Sequence, residues 1–172
     1  MKRRQLVMAV AAAGLIPWRV LMANANLQKA NALEFSPLEK PLEEWRKLLT
    51  PEAFHVLFEE GTERSGSSAL NYEKRDGTFI CAACYLPLFT SSTKFESGTG
   101  WPSFYQPITG RVGFKTDFKL IYPRKEYHCA RCGGHQGHVF KDGPKPTGLR
   151  YCNNGVALNF IAANETLPEM RS

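Results

Sequence analysis

Two Cys-x-x-Cys pairs constrain this chain more than any other feature: "CAAC" (Cys81, Cys84) and "CARC" (Cys129, Cys132), with 44 residues between them. Two thiolates three positions apart on a tight turn supply half of a tetrahedral Zn²⁺ shell, so two such turns supply all of it. Gly133 and Gly134 after the second pair permit the turn. Four protein ligands leave no open position for chemistry, so the ion would be structural. The separation exceeds that of a compact zinc ribbon, so the site would clip distant parts of the fold together. Two alternatives stay open: disulfides, or His135 or His138 replacing one cysteine as a ligand.

The charge is concentrated at one end. The net charge is +6, from 22 basic and 16 acidic residues, but residues 1–25 hold Lys2, Arg3, Arg4 and Arg19 and no acid. Without them the balance is 18 against 16, or +2. The folded part therefore lacks a nucleic-acid footprint. The leader "MKRRQLVMAVAAAGLIPWRVLMANA" has a basic start, an apolar run from Leu6 to Ile16, and small residues at Ala23 and Ala25. This is the layout of a bacterial export signal. Arg3-Arg4 and the modest apolar run resemble a twin-arginine signal, which implies a periplasmic or secreted protein with no stable membrane association after cleavage. The run is too short to span a bilayer, and the alternative is an uncut N-terminus that anchors the chain to the membrane.

Residues 26–40 read as a polar linker, and residues 41–172 as the domain. In "PLEEWRKLLTPEAFHVLFEEGTE" the spacing predicts two short helices. Thr50-Pro51-Glu52 is a start signal: a hydroxyl cap, proline in the first turn, and an acid at the positive helix end. Phe54, Leu57 and Phe58 share a face, and Gly61 is the expected stop. From about residue 77 short apolar runs alternate with Gly, Pro and Asp: "GTFIC", "GRVGF", "FKLIYP", "YHCA", "GHVF", "GLRYC" and "GVALNF". These predict short antiparallel strands in a small α+β or mainly-β domain.

One cysteine stands outside the pairs. If "GLRYC" is a strand, Arg150, Cys152 and Asn154 point to one face and Tyr151 to the other. A guanidinium beside a thiol favours the thiolate, the nucleophilic form. The competing reading is a buried, inert cysteine. His135 and His138 in "GGHQGHVF" would be fixed by the nearby metal turn and could exchange protons near neutral pH. Alternatively they are structural. Trp101 in "GTGWPSF" is core or pocket.

Taken together, "GTER", "DGTFICAACYLPLF", "GWPSF" and "CARCGGHQGHVFKDGPKPTGLRYCNNGVALNF" resemble the methionine-R-sulfoxide reductase B family over about residues 50–160. The resemblance implies two small antiparallel sheets with short N-terminal helices, stapled by one structural zinc on Cys81, Cys84, Cys129 and Cys132. It places the family's nucleophile on Cys152, its substrate-oxygen histidines on His135 and His138, and its active-site asparagine on Asn154. Arg150 and Asp142 match positions that shape the site, with Asp142 counted among the substrate-binding residues. Trp101 matches the indole that receives the substrate methyl group.

The implied reaction is attack of Cys152 on the sulfur of methionine-R-sulfoxide, free or in proteins, to give methionine and a sulfenic acid. That is an oxidoreductase of oxidative-damage repair, expected as a monomer in the cell envelope. Many relatives carry a resolving cysteine in "SGCGWPSF", where this chain has "SGTGWPSF" with Thr99. Regeneration would then require an external thiol, thioredoxin-like or small. Relatives often have serine at the position of Gly155. The alternatives are a non-catalytic zinc-stabilised binding module, a nucleic-acid zinc ribbon, and a thiol–disulfide oxidoreductase using a Cys-x-x-Cys pair.

Overall fold

The computed structural model describes residues 35–118 and 123–172. The leader reading of residues 1–25 and most of the "FKLIYP" strand therefore lie outside the described residues. No helix among the described residues is long and apolar enough to cross a membrane.

Helices α1 (Leu42–Leu48) and α2 (Pro51–Glu59) come first. Thr50 caps α2 as expected, its Oγ1 accepting from Ala53 N at 3.2 Å. The stop differs from the expectation. Glu60, not Gly61, takes the left-handed conformation, with φ 54°. An ion pair with Lys115 ties the Glu60 carboxylate to the sheet. Gly61 is needed for space instead, since a Cβ there would stand 2.4 Å from the His55 ring. The buried face of the two helices, Trp45, Phe54, Val56 and Leu57, joins the core.

Nine strands follow among the described residues, in two antiparallel sheets. They are β1 (Gly77–Cys81), β2 (Pro87–Thr90), β3 (Lys94–Phe95), β4 (Ser103–Phe104), β5 (Val112–Asp117), β6 (Arg124–Cys129), β7 (His135–Phe140), β8 (Arg150–Asn153) and β9 (Leu158–Ala162). The smaller sheet has the order β2-β1-β9 and the larger β3-β4-β8-β7-β6-β5. The mainly-β architecture with short leading helices is thus the one the apolar runs predict.

The sheets are joined through aromatic rings. Phe104 of the large sheet stacks on Phe89 of the small one at 4.2 Å and meets Phe79 edge-on at 4.9 Å. Tyr127 and Tyr151 pack edge-on against Phe89, each at 6.1 Å. Side chains alternate along a strand, so committing Tyr151 to the core sends Cys152 to the opposite face. Register continues that outer row. Cys152 pairs with Ser103 on one side and His138 on the other; His138 pairs with Glu126, and Glu126 with Lys115.

A bulge completes the row. Tyr127 pairs with Gly137, but the next residue, His128, pairs with His135. The extra residue is Gln136. Two histidines three apart on a regular strand would face opposite ways; the insertion returns His135 to the side of His138. Their rings lie 5.4 Å apart.

Candidate active site and metal centre

The four paired thiols meet where the sheets join. Cys81 ends β1, Cys129 ends β6, and the turns after them carry Cys84 and Cys132. Both turns are built alike: Tyr85 N donates to Cys81 O at 2.9 Å and Gly133 N to Cys129 O at 3.0 Å. Tyr85 (φ 64°) and Gly133 (φ 73°) take the left-handed position that closes each turn.

The four sulfurs all lie within 4.8 Å of one another, with Cys84–Cys129 at 3.5 Å and Cys81–Cys132 at 3.7 Å. A tetrahedron with Zn–S bonds of about 2.3 Å has edges of about 3.8 Å. The donor set therefore fits a tetrathiolate zinc, and the sulfurs are too far apart for disulfides, whose bonds are about 2.05 Å. Neither histidine belongs to this cluster. Guanidinium groups collect around it. Arg131 donates to Cys84 O at 3.2 Å, and Arg171 donates to Ala83 O at 3.0 Å while its N–H reaches Cys84 O. Arg171 also lies over the Tyr85 ring and bonds its hydroxyl.

Cys152 is elsewhere, in a pocket of about 110 Å³ on the outer face of the large sheet. Trp101, Arg124, His138, Phe140, Cys152 and Asn154 are among its lining residues. Arg150 grips Asp142 through two bonds, Nε–Oδ1 at 2.9 Å and Nη2–Oδ2 at 2.8 Å, and its guanidinium lies 4.3 Å from the centre of the Phe140 ring. Asp142 thus meets Arg150, not the pocket, and this partnership holds its carboxyl below the usual range.

Arg150 favours the thiolate, as the sequence argument expects, but it is not the larger influence on the sulfur. Burial pushes the Cys152 thiol above its ordinary range; this outweighs the lowering influence of Arg150 and Thr99. Removing a charge from water costs more here than one partly engaged guanidinium returns.

His138 Nε2 lies 2.8 Å from Asp117 Oδ2, which also accepts from Arg124 at 2.7 Å. Burial holds His138 below the usual imidazole range, against the opposing pull of Asp117. A neutral ring facing a carboxylate carries its proton on Nε2. His135 does not line the pocket. It is 2% exposed, and its Nδ1 lies 3.0 Å from Glu126 Oε1 without hydrogen-bond alignment. Asp117, Glu126 and His138 are close enough to hold an ion, but Arg124 and Lys115 already neutralise the carboxylates.

Asn154 sits one residue past β8 and is buried. Its Oδ1 accepts from Glu63 N at 3.1 Å and its Nδ2 donates to Gln136 O at 3.0 Å. Both functions of its amide are spent on backbone. Glu63 is the residue that sequence reasoning missed. Its carboxylate accepts from Gly155 N at 2.6 Å and Val156 N at 2.9 Å, and its carbonyl accepts from Trp101 Nε1 at 3.3 Å. Only the acid in "GTER" hints at it, since Gly155 and Val156 lie 92 and 93 residues further along.

A SelR domain model matches residues 49–162. The peptide methionine sulfoxide reductase MsrB of Methanosarcina barkeri is 57% identical over 129 residues, 74% of this chain and 91% of that protein. MsrB of Methanosarcina mazei is 53% identical over 130 residues, 75% of this chain and 93% of that one. The chloroplastic peptide methionine sulfoxide reductase B1 of Arabidopsis thaliana is 49% identical over 142 residues, 82% of this chain and 69% of that one. With its four-thiol cluster, its sandwiched sheets and a match that spans most of the described domain, this chain belongs to the SelR-domain family of methionine-R-sulfoxide reductase B proteins.

Proposed function

We propose that the protein reduces methionine-R-sulfoxide with Cys152 as nucleophile. One observation carries the reading: Cys152 is the cysteine that lines the pocket, beside Trp101 and His138, while the other four thiols are gathered in a cluster. The Cys152 sulfur attacks the sulfoxide sulfur as its own proton leaves, and the departing oxygen needs a proton. His138, held at Nε2 by Asp117, keeps Nδ1 to carry it. The S–S bond made in that attack breaks again as the protonated oxygen passes from the substrate sulfur to the Cys152 sulfur, so methionine leaves and Cys152 becomes a sulfenic acid. The thiol is oxidised by two electrons and the sulfoxide reduced by two. Trp101 offers the apolar wall for the ε-methyl that selects the R epimer. Arg150 stabilises developing negative charge, Asn154 fixes the loop after the nucleophile, and Asp142 orients Arg150.

Two external thiols then reduce the sulfenic acid, releasing water and a disulfide. Thr99 stands beside Cys152 where a resolving thiol would be needed, and the clustered cysteines fit a structural zinc that clips the two sheets together. The leader supports export by the twin-arginine route and repair of oxidised proteins in the envelope, by a monomer. Replacing Arg3 and Arg4 with lysine should block export.

The deciding experiment is turnover of the two sulfoxide epimers by wild type and Cys152→Ser. Wild type should reduce only the R form, and the variant neither, with zinc content unchanged. Turnover retained by the variant removes Cys152 from the reaction.

A further inference from the structure

The inserted residue of β7 joins the metal cluster to the strand of Cys152. Gln136 is fully buried, and its side chain meets Cys81, the last residue of β1 in the other sheet. Gln136 Nε2 donates to Cys81 Sγ at 3.6 Å. Gln136 Oε1 accepts from Asn153 Nδ2 at 3.3 Å. Its backbone carbonyl accepts from Asn154 N at 2.8 Å and from Asn154 Nδ2 at 3.0 Å. One residue thus holds both asparagines that follow Cys152 and reaches a thiol of the cluster. Both asparagines line the pocket.

The donors and acceptors fit together in one direction. Asn153 meets the Asn154 carbonyl oxygen at 2.8 Å. A carbonyl only accepts, so the Asn153 amide turns its NH₂ that way and its oxygen towards Tyr127. The Tyr127 hydroxyl donates to that oxygen at 2.6 Å. The second N–H of Asn153 faces Gln136, which must answer with Oε1 and so points its own NH₂ at Cys81. The line from Tyr127 through Asn153 and Gln136 therefore ends on a sulfur that accepts. A metal-bound thiolate is such an acceptor, and hydrogen bonds to ligating groups strengthen their hold on a metal. Tyr127, Asn153, Gln136 and Cys81 are all fully buried, so a lost partner is not replaced by bulk water.

We propose that Gln136 is a positioning residue that couples the metal centre to the strand carrying Cys152. It acts through Asn153 and Asn154 rather than on the reacting atoms. With its NH₂ engaged by the Cys81 sulfur, the Gln136 amide is locked, and its oxygen and backbone carbonyl hold the chain just past the nucleophile. Asn153 N in turn donates to Pro102 O at 2.9 Å, next to Trp101, so the same hold extends to the far wall of the pocket. A change at the metal centre therefore reaches the pocket, and by reciprocity a change at Asn153 reaches the metal centre. The insertion in β7 has two results: it returns His135 to the side of His138, and it turns Gln136 to the cluster.

The inference rests on the reading of the four thiols as a zinc site and, for its bearing on the reaction, on Cys152 as nucleophile; its test reads the metal. Zinc release to a chromogenic chelator is timed for full-length, zinc-loaded wild type, Gln136→Leu, Asn153→Ala and the double variant, with circular dichroism checking the fold of each. Gln136→Leu should release zinc on the order of tenfold faster. Asn153→Ala, on the nucleophile's strand, should speed release about threefold. In the Gln136→Leu background it should add nothing, because the line is already broken. In cobalt-loaded protein the thiolate-to-cobalt charge-transfer band should move to longer wavelength in Gln136→Leu, since the N–H that stabilises the sulfur lone pairs is gone. Gln136→Met and Tyr127→Phe take the places of the two variants if either fails to fold. Release from Gln136→Leu at the wild-type rate, or an Asn153→Ala effect that is equal in both backgrounds, overturns the coupling. Zinc content and R-sulfoxide turnover of the wild type, measured in parallel, report on the metal and nucleophile readings independently.

Discussion

Cys152 and His138 are direct partners across the β7–β8 ladder, so a thiol and a neutral imidazole share one face of the sheet. Directly paired residues place their Cβ atoms about 4.5–5.5 Å apart. The relationship is fixed by backbone register rather than by a flexible loop, and Asp117 fixes the ring beyond it. This makes His138 the group to test for proton transfer. His138→Gln should lower kcat about 100-fold or more while leaving zinc content and Tm near wild type. Asp117→Asn should cost less, since an amide oxygen still accepts from Nε2. Steady-state turnover of an R-sulfoxide peptide measures both. An unimpaired His138→Gln enzyme would assign the proton to water.

The state of Cys152 is set by burial working against Arg150. Its folded-state pKa is raised, so the thiol contributes stability that is complete below the unfolded pKa, about 8.5. That contribution is lost as pH rises through the higher folded value. Removing the guanidinium with Arg150→Met takes away the largest influence that opposes burial. The pH midpoint of Cys152 alkylation should then move further into the alkaline range, and activity at neutral pH should fall. A midpoint that drops in this variant would show that Arg150 stabilises the thiol instead.

Much of this site was legible in the residues, and what was not has a common cause. The Thr50 cap, the apolar runs of β1, β7, β8 and β9, and the opposition of Tyr151 and Cys152 all follow from local patterns. The four thiols were legible because ligand chemistry requires them to converge. The orientation of His135 was not, because one inserted residue in β7 reverses a strand's alternation without changing its composition. The two-residue strands β3 and β4 are too short to show periodicity, although β4 supplies Ser103. Glu63 was hidden because its partners Gly155 and Val156 are backbone amides, which leave no mark in the identity of a side chain. The balance at Cys152 was only half legible for a related reason: sequence shows a neighbouring charge but not the depth at which both are buried.

The metal centre carries its own expectation. Purified protein should hold one zinc per chain, and Cys129→Ser should lose metal and unfold at lower temperature. A tetrathiolate zinc site is net negative, and Arg171 and Arg131 direct N–H groups at the carbonyls of the first turn. Arg171→Ala removes one of these supports and the ring contact with Tyr85. Zinc release to a chromogenic chelator should become several-fold faster, with epimer selectivity unchanged. Release at the wild-type rate would mean that the C-terminal arm is only packing.

Glu63 joins the helical end of the domain to both sides of the pocket. Its carboxylate holds the amides of Gly155 and Val156, its own N–H holds Asn154, and its carbonyl holds the Trp101 indole. Glu63→Ala leaves the Gly155 and Val156 amides without an acceptor in a space too confined for easy relief; a Cβ on Gly155 would already stand 2.3 Å from the Ser68 Cβ. The cost should be about 1–3 kcal/mol for each orphaned buried group, read as a fall of several degrees in Tm, on the order of a few degrees per kcal/mol. The backbone contacts to Trp101 and Asn154 survive in principle but lose their anchor. KM for an R-sulfoxide should therefore rise more than kcat falls. Glu63→Gln keeps one acceptor oxygen and should recover part of both losses. A Glu63→Ala enzyme with wild-type Tm would show that the loop after Cys152 holds its shape without the carboxylate.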